Sequence, residues 1–74
     1  MTRQQLHDNR LRIGKQLSDI RTSKGLTQQQ VADLAGITRQ GVERVEQGRY
    51  SVGIDILSKI SEALNCRVDI ISIK

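Results

Sequence analysis

Two short segments between Leu26 and Gly48 begin and end with the same residue types. Each opens on an aliphatic residue followed by threonine and closes on glycine, as LTQQQVADLAG and then ITRQGVERVEQG. A threonine in that place can cap the free amides of a first helical turn, and glycine readily adopts the left-handed conformation that ends a helix. The repeated pattern predicts two short helices, Gln28 to Ala35 and Thr38 to Gln47, joined by a sharp turn at Gly36.

Both segments carry further features of a helix start. In the first, Gln30 can bond back to the capping threonine, and Leu26 can pack on Val31 as a hydrophobic staple. In the second, Ile37 is placed to make the same staple with Val42. Two short helices joined through a glycine turn form a helix-turn-helix, in which the first helix crosses the DNA backbone and the second reads bases.

The second of these helices has one apolar and one polar side. At about 100° per residue, Val42 and Val45 share one side, and the polar residues spread across the other. Arginine and glutamine can each make two hydrogen bonds to a base edge in the major groove, to guanine and adenine respectively. The residues predicted to contact bases are Arg39, Gln40, Glu43 and Arg44. The alternative interpretation is an ordinary polar surface helix.

Other polar side chains lie near the two helix starts and after the second helix. Helix starts attract anions, because their free amides and dipoles favour negative charge. Contacts to phosphate fix the register of a protein on duplex DNA, whereas base contacts carry sequence preference. The residues predicted to contact phosphate are Thr27, Gln28, Thr38, Gln47 and Arg49.

The segment before these helices is also predicted to be helical. Apolar residues recur on one face from Asn9 to Lys24, and Gly25 is placed to end the helix. Residues Met1 to Asp8 have two interpretations. Either Thr2 and Gln5 form a capping box that extends the helix, or the segment is a flexible arm.

A further helix is predicted from Ile54 to Leu64, with Asn65 in the left-handed conformation after it. The residues expected to face the core are Ile54, Leu57, Ile60 and Leu64. With 74 residues the chain has room for one compact core. The expected fold is therefore a mostly α single domain over residues 1–74, with four or five helices.

The last residues change in character. Residues 68–73 read VDIISI, which is β-branched and poor in helix formers, so a strand is predicted over Arg67 to Ile73. No other segment is available to pair with it, and a lone apolar strand would expose unpaired amides. Pairing with the same strand of a second copy satisfies it, which predicts a homodimer held through Val68, Ile70, Ile71 and Ile73. The alternative is a disordered tail.

Composition narrows the functions that need to be considered. The net charge is +4, and residues 1–50 hold the whole excess, which favours a polyanion as partner. His7 and Cys66 have no neighbours at metal-ligand spacing, so neither a metal nor another cofactor is expected. Tyr50 is the only aromatic residue, which argues against single-stranded nucleic acid and leaves duplex DNA. With one cysteine, no signal peptide and no run of about 20 apolar residues, a cytoplasmic protein without a membrane span is expected.

The sequence resembles the Cro/repressor-type (XRE-like) family of helix-turn-helix DNA-binding proteins. The resemblance is carried by Thr27-Gln28, Ala32, Gly36, Ile37-Thr38 and Glu46-Gln47-Gly48, and it extends from Ile13 to Leu64. It implies a repressor-like domain in which Arg21 of the first helix pairs with Glu46 of the recognition helix. This chain departs from the family pattern at Gly41, where a larger residue is usual, at Tyr50-Ser51-Val52, where proline often occurs, and in its C-terminal strand.

The resemblance and the charge together imply a sequence-specific transcriptional regulator. The expected form is a dimeric repressor that reads an inverted-repeat operator in the major groove. The first alternative is the DNA-binding antitoxin of a toxin–antitoxin pair, which would add a toxin protein as partner. The second is an adaptor that keeps the fold but uses the polar helix for protein contacts.

Overall fold

The computed structural model describes all 74 residues and contains four α-helices connected by short turns. They are α1 (Arg3–Ser23), α2 (Gln28–Ala35), α3 (Arg39–Gln47) and α4 (Ile54–Ala63). The predicted mostly α fold is confirmed. None of the four helices combines the length and apolar character needed to cross a membrane.

The first helix begins earlier than residue 9. The Thr2 side chain accepts a hydrogen bond from the amide of Gln5, and the Gln5 side chain accepts one from the amide of Thr2. This capping box satisfies amides that would otherwise have no partner at the helix start. Of the two interpretations of residues 1–8, the structure therefore contains the helical extension and no arm.

The ends of the other helices follow the sequence pattern closely. Thr27 and Gln30 form a reciprocal capping box at α2, and the Thr38 side chain accepts from the amide of Gly41 at α3. Gly36 and Gly48 are left-handed, with φ of 70° and 64°. Asn65 also has a positive φ of 55°, as predicted for the residue after α4.

The core is built from side chains of all four helices: α3 packs on α1 and α2, and α2 packs on α4. Its buried members are Leu17, Val31, Ala32, Val42, Val45, Ile60 and Leu64. The prediction that Ile54 faces this core is wrong, since the residue is 65% exposed. At about 100° per residue, Ile54 lies roughly a quarter turn away from the direction shared by Leu57, Ile60 and Leu64.

The backbones of α1 and α3 approach each other closely at two glycines, Gly14 and Gly48. A Cβ atom on Gly14 would lie 2.5 Å from the carbonyl oxygen of Val45 and 2.6 Å from that of Glu46. A Cβ on Gly48 would lie 2.8 Å from the amide nitrogen of Leu11. The two helices therefore meet through positions where only glycine fits, and Gly14 was not singled out from the sequence.

We expect Gly14→Ala to destabilise the fold by about 1–3 kcal/mol, the usual cost of overpacking a tight contact. The added methyl would meet backbone carbonyls, which cannot move without shifting the whole of α3. Gly41→Ala is the matched control, since its Cβ would meet only Thr38 Oγ1 at 3.3 Å and Ile37 Cδ1 at 3.7 Å. The higher helix propensity of alanine, worth about 0.5–1 kcal/mol, opposes the small shift that the Thr38 hydroxyl must make, so this control is expected to change stability by less than about 1 kcal/mol. Urea unfolding of both variants measures the difference, and equal midpoints would contradict the close approach.

The strand predicted for Arg67 to Ile73 is absent from the single chain. The structure contains no β-strand, and residues 67–74 form no backbone–backbone hydrogen bond. The physical reason is that a strand needs a hydrogen-bonded neighbour, and every other long segment of this chain is helical. The aliphatic side chains of the tail lie open to solvent, with exposures of 43% for Val68, 98% for Ile70, 80% for Ile71 and 96% for Ile73.

Candidate nucleic-acid interface

One face of α3 is buried and the opposite face is presented to solvent. Val42 is fully buried and Val45 is 4% exposed, and together they anchor the helix to the core. The first turn is held by the Thr38 cap described above. Arg39, Gln40 and Arg44, which were predicted to contact bases, are exposed on the other face, and Glu43 is half-buried beside them. A solvent-facing helix with two arginines and a glutamine has the donors needed to read base edges.

A bidentate ion pair between Arg21 and Glu46 links α3 to α1. Arg21 donates from Nε to Glu46 Oε2 at 2.6 Å and from Nη2 to Glu46 Oε1 at 3.0 Å, and its Nη1 donates to the carbonyl oxygen of Leu26 at 2.8 Å. The two side chains are only 13% and 8% exposed. Hydrogen bonding to Glu46 raises the pKa of the Arg21 guanidinium above its ordinary value. The pair therefore ties α1, the turn before α2, and α3 into one unit.

Gln28, at the start of α2, extends this pair toward the exposed face. Its Nε2 donates to Glu46 Oε1 at 3.1 Å, and its Oε1 accepts from Arg39 Nη1 at 3.5 Å. The same Nη1 lies 3.3 Å from Glu43 Oε2. Gln47 donates from Nε2 to Glu43 Oε1 at 3.1 Å. A continuous polar network thus runs from the core ion pair to the outer face of α3.

Sequence reasoning missed this network for an identifiable reason. The contacts Arg39–Glu43 and Glu43–Gln47 have the four-residue spacing of helix neighbours and were in principle visible in the sequence. The contact between Gln28 and Glu46 joins residues 18 apart, and no local pattern indicates it.

The residues predicted to contact phosphate surround the polar face of α3. Thr27 and Thr38 lie at the starts of α2 and α3, where their hydroxyls serve as caps. Gln28 is half-buried in the network, and Gln47 and Arg49 are exposed at the far end of the helix. Because Gln28 reaches Arg39, the start of α2 lies beside the start of α3. The arrangement places two helix starts and an exposed arginine around one polar helix face.

Comparison with known proteins finds helix-turn-helix transcriptional regulators that are similar to this chain. The sequence profile of the helix-turn-helix family matches residues 17–71. The SPbeta prophage-derived uncharacterized HTH-type transcriptional regulator YonR of Bacillus subtilis is 42% identical over 57 residues, covering 77% of this chain and 53% of the relative. The HTH-type transcriptional regulator PuuR of Escherichia coli is 38% identical over 55 residues, covering 74% of this chain and 30% of the relative.

A similar solved structure is the restriction-modification controller protein C.AhdI from Aeromonas hydrophila. It superposes with a TM-score of 0.78 at 33% identity, covering 81% of this chain and 91% of that chain. This chain spans about half the length of YonR and less than a third of PuuR. Since the family profile covers most of the chain, and relatives named HTH-type transcriptional regulators align with about three quarters of it, this chain belongs to the Cro/C1-type (XRE-like) helix-turn-helix family.

Proposed function

We propose that this chain is a sequence-specific transcriptional regulator that binds duplex DNA and inserts α3 into the major groove. The observation that carries the proposal is the exposed face of α3 with Arg39, Gln40 and Arg44. On the opposite side of the same helix, the largely buried Arg21–Glu46 pair fixes α3 to α1. A rigid helix carrying bidentate donors is what direct base readout requires. The relatives named as HTH-type transcriptional regulators support the proposal.

In this proposal Arg39, Gln40 and Arg44 read bases. Contacts to phosphate come from Thr27, Gln28, Thr38, Gln47 and Arg49, together with the amides at the starts of α2 and α3. Glu43 was expected to contact a base itself. Its carboxylate oxygens each accept one hydrogen bond, from Arg39 and Gln47, and each keeps a further lone pair, so in this proposal Glu43 both contacts a base and helps to orient Arg39.

The proposal includes a homodimer joined through the C-terminal tail. Residues 67–74 leave their backbone groups without backbone partners, and antiparallel pairing with a second copy would satisfy them. An apolar groove is lined by Ile13, Leu17 and Leu57 of α1 and α4 together with Val68 and Ile71 of the tail. The second copy's tail is the occupant that we assign to this groove.

The exposed apolar surface of the tail supports this assignment, since Ile70, Ile71 and Ile73 are each at least 80% exposed. Burial of such side chains against a second copy would remove apolar surface from water.

The dimer also sets the form of the DNA site. Two α3 helices held about 34 Å apart would enter successive major grooves on one face of the duplex. Because a dimer has two-fold symmetry, we expect the operator to be an inverted repeat, and we propose that the bound protein acts as a repressor.

Selection of bound duplexes from a random DNA pool tests the proposed function. Enrichment of an inverted repeat with half-site centres about one helical turn apart is the expected result. Enrichment of no sequence, with binding equally strong to every duplex, would contradict sequence-specific regulation.

We expect Arg39→Ala to relax base preference at one position of each half-site and to weaken binding to the selected duplex by about 1–3 kcal/mol. The loss should be confined to duplexes that carry the preferred base, because only these offer the arginine its two acceptors. Titration of the selected duplex and of a variant at that position measures both affinities.

Arg49→Ala provides the contrast for this prediction. Because Arg49 is proposed to contact phosphate, its loss should lower affinity by a similar factor for every sequence and should reduce the salt slope by about one unit. Uniform weakening by Arg39→Ala would instead identify Arg39 as a phosphate contact, and the base assignment would then be wrong.

A further inference from the structure

We propose that a basic stripe on α1, formed by Arg3, His7 and Arg10, binds the phosphate backbone of duplex DNA beyond the C-terminal end of α3. The inference rests on the proposed function and deepens it, because it extends the DNA-binding surface to the first turns of α1, outside the helix-turn-helix. It is carried by the direction of the stripe, by its unpaired charge and by the surroundings of Arg10.

The stripe lies on the face of α1 that packs against α3. At about 100° per residue, Arg3, His7 and Arg10 all lie within about 40° of the direction of Gly14. Gly14 meets backbone carbonyls of α3 so closely that no Cβ would fit there. The side of α1 that carries the stripe is therefore the side that faces α3.

The stripe continues past the end of α3. Gly14 lies against Val45, whereas four residues earlier in α1 the backbone of Arg10 lies against Gly48. Since going backward along α1 means going forward along α3, the two helices run antiparallel. Gly48 is the residue that ends α3. The turns of α1 before Arg10 therefore extend beyond the end of α3.

The DNA backbone is expected at this end of α3. In helix-turn-helix complexes the N-terminal residues of the recognition helix contact base edges. The opposite end of α3 is then directed toward the wall of the groove, where Gln47 and Arg49 are proposed to contact phosphate. From Arg3 to Arg10 the stripe spans about 10 Å along α1. Because the phosphates of one strand repeat about every 3.4 Å along the duplex axis, the stripe can meet more than one of them.

The positive charge of the stripe has no partner within the protein. The four ion pairs of the molecule involve other residues. Asp8 is the only acidic residue among the first 18, and it accepts a hydrogen bond from Gln4. It projects about 120° away from the direction of Gly14. Positive charge without a neighbouring carboxylate favours a polyanion as partner.

Arg10 is held in place by packing. It is half-buried, and its Nε is the one enclosed side-chain nitrogen or oxygen of the molecule without a hydrogen-bond partner. It lines a groove together with Leu6, Tyr50 and Val52, next to the end of α3. A packed side chain loses less rotational freedom on binding an anion than a fully solvated one. A phosphate would supply the counter-charge that the protein itself does not.

The salt dependence of binding to the duplex that the wild-type protein enriches from a random pool tests the stripe. Each lost phosphate contact should lower the slope of log K against log[salt] by about 0.9. We therefore expect a reduction of about one unit in Arg10→Gln and in Arg3→Gln, and of about two units in the double variant. The single variants should bind the selected duplex and an unrelated one about five- to tenfold more weakly at 0.1 M salt. Arg10→Lys keeps the charge and should keep most of the slope.

Lys15→Gln is the matched control. It removes one positive charge from the same helix, but Lys15 projects about 100° away from Gly14 and pairs with Asp19, with its side chain 77% exposed. Its slope should stay within about 0.3 of the wild-type value. Neutral methylphosphonates at single phosphates of the selected duplex then locate the contact. At one position per half-site, wild type should lose about fivefold in affinity and Arg10→Gln should show no further loss.

Two results would overturn the assignment without touching the proposed function. One is a wild-type salt slope in the double variant Arg3→Gln with Arg10→Gln. The other is an equal reduction of the slope in Lys15→Gln, which would reduce the effect to net charge. Thermal unfolding of each variant shows whether the fold is retained, and lower stability of Arg10→Gln with an unchanged slope would give Arg10 only a structural role at the end of α3. Failure of the wild-type protein to enrich any duplex would overturn the proposed function and this assignment together.

Discussion

Replacing Glu46 with alanine is expected to destabilise the fold by about 3–5 kcal/mol, because it would leave the Arg21 guanidinium buried without a counter-ion. Arg21 is only 13% exposed and gives two of its three hydrogen bonds to Glu46. A loss of this size is a large part of the total stability of a domain of this length. Urea unfolding followed by circular dichroism measures it, and at the upper end of the range the variant would be substantially unfolded at room temperature.

The double variant Arg21→Met with Glu46→Leu separates the ion pair from simple loss of packing. Removing both charges removes the desolvation cost as well, so the double variant should be closer to wild type than Glu46→Ala. Losses that simply add in a double-mutant cycle would show that the two residues are not coupled. The exposed pair of Lys15 and Asp19, with side chains 77% and 63% exposed, is the control, and its loss should cost about 0.5 kcal/mol or less.

Deleting residues 67–74 is expected to convert the proposed dimer into a monomer and to weaken binding to the selected duplex by about 100-fold or more. In the proposed dimer, binding of one half-site would hold the second α3 beside the other half-site at a high effective concentration, and the monomer would lose this advantage. The deletion spares Cys66, whose side chain packs against the core and whose amide bonds to Ser61. Sedimentation of the shortened chain and titration of the selected duplex are the two measurements.

The full-length variant Ile71→Pro provides a less disruptive version of the same experiment. Proline removes an amide donor from the tail and cannot continue a strand ladder, whereas the helices lie outside the change. Weaker dimerisation with unchanged helix content would support strand pairing. A deletion variant that stays dimeric would contradict strand pairing and would make α4, with its exposed Ile54, the next surface to test.

The helix boundaries could be predicted because the signals for them are local. The bounds of α2 follow from a capping threonine, a glutamine three residues into the helix and a left-handed glycine. The same reasoning gives the end of α3 at Gly48 and the left-handed Asn65 after α4. The polar face of α3 was visible for the same reason, since helical periodicity alone separates Val42 and Val45 from Arg39 and Arg44. The Arg21–Glu46 pairing came from the family resemblance, because no spacing rule links residues 25 apart.

The sequence by itself therefore determined α2 and α3 with their caps, and the side of α3 that carries Arg39 and Arg44. Features set by contacts between distant parts of the chain were decided by the tertiary structure. Gly14 is required because the carbonyls of α3 come within 2.6 Å of where its Cβ would be, and Gln28 meets Glu46 because α2 packs beside α3. The strand predicted over Arg67 to Ile73 also depended on a contact that the sequence pattern does not specify. Its β-branched residues favour a strand, but a strand exists only when a second strand pairs with it, and the single chain contains none.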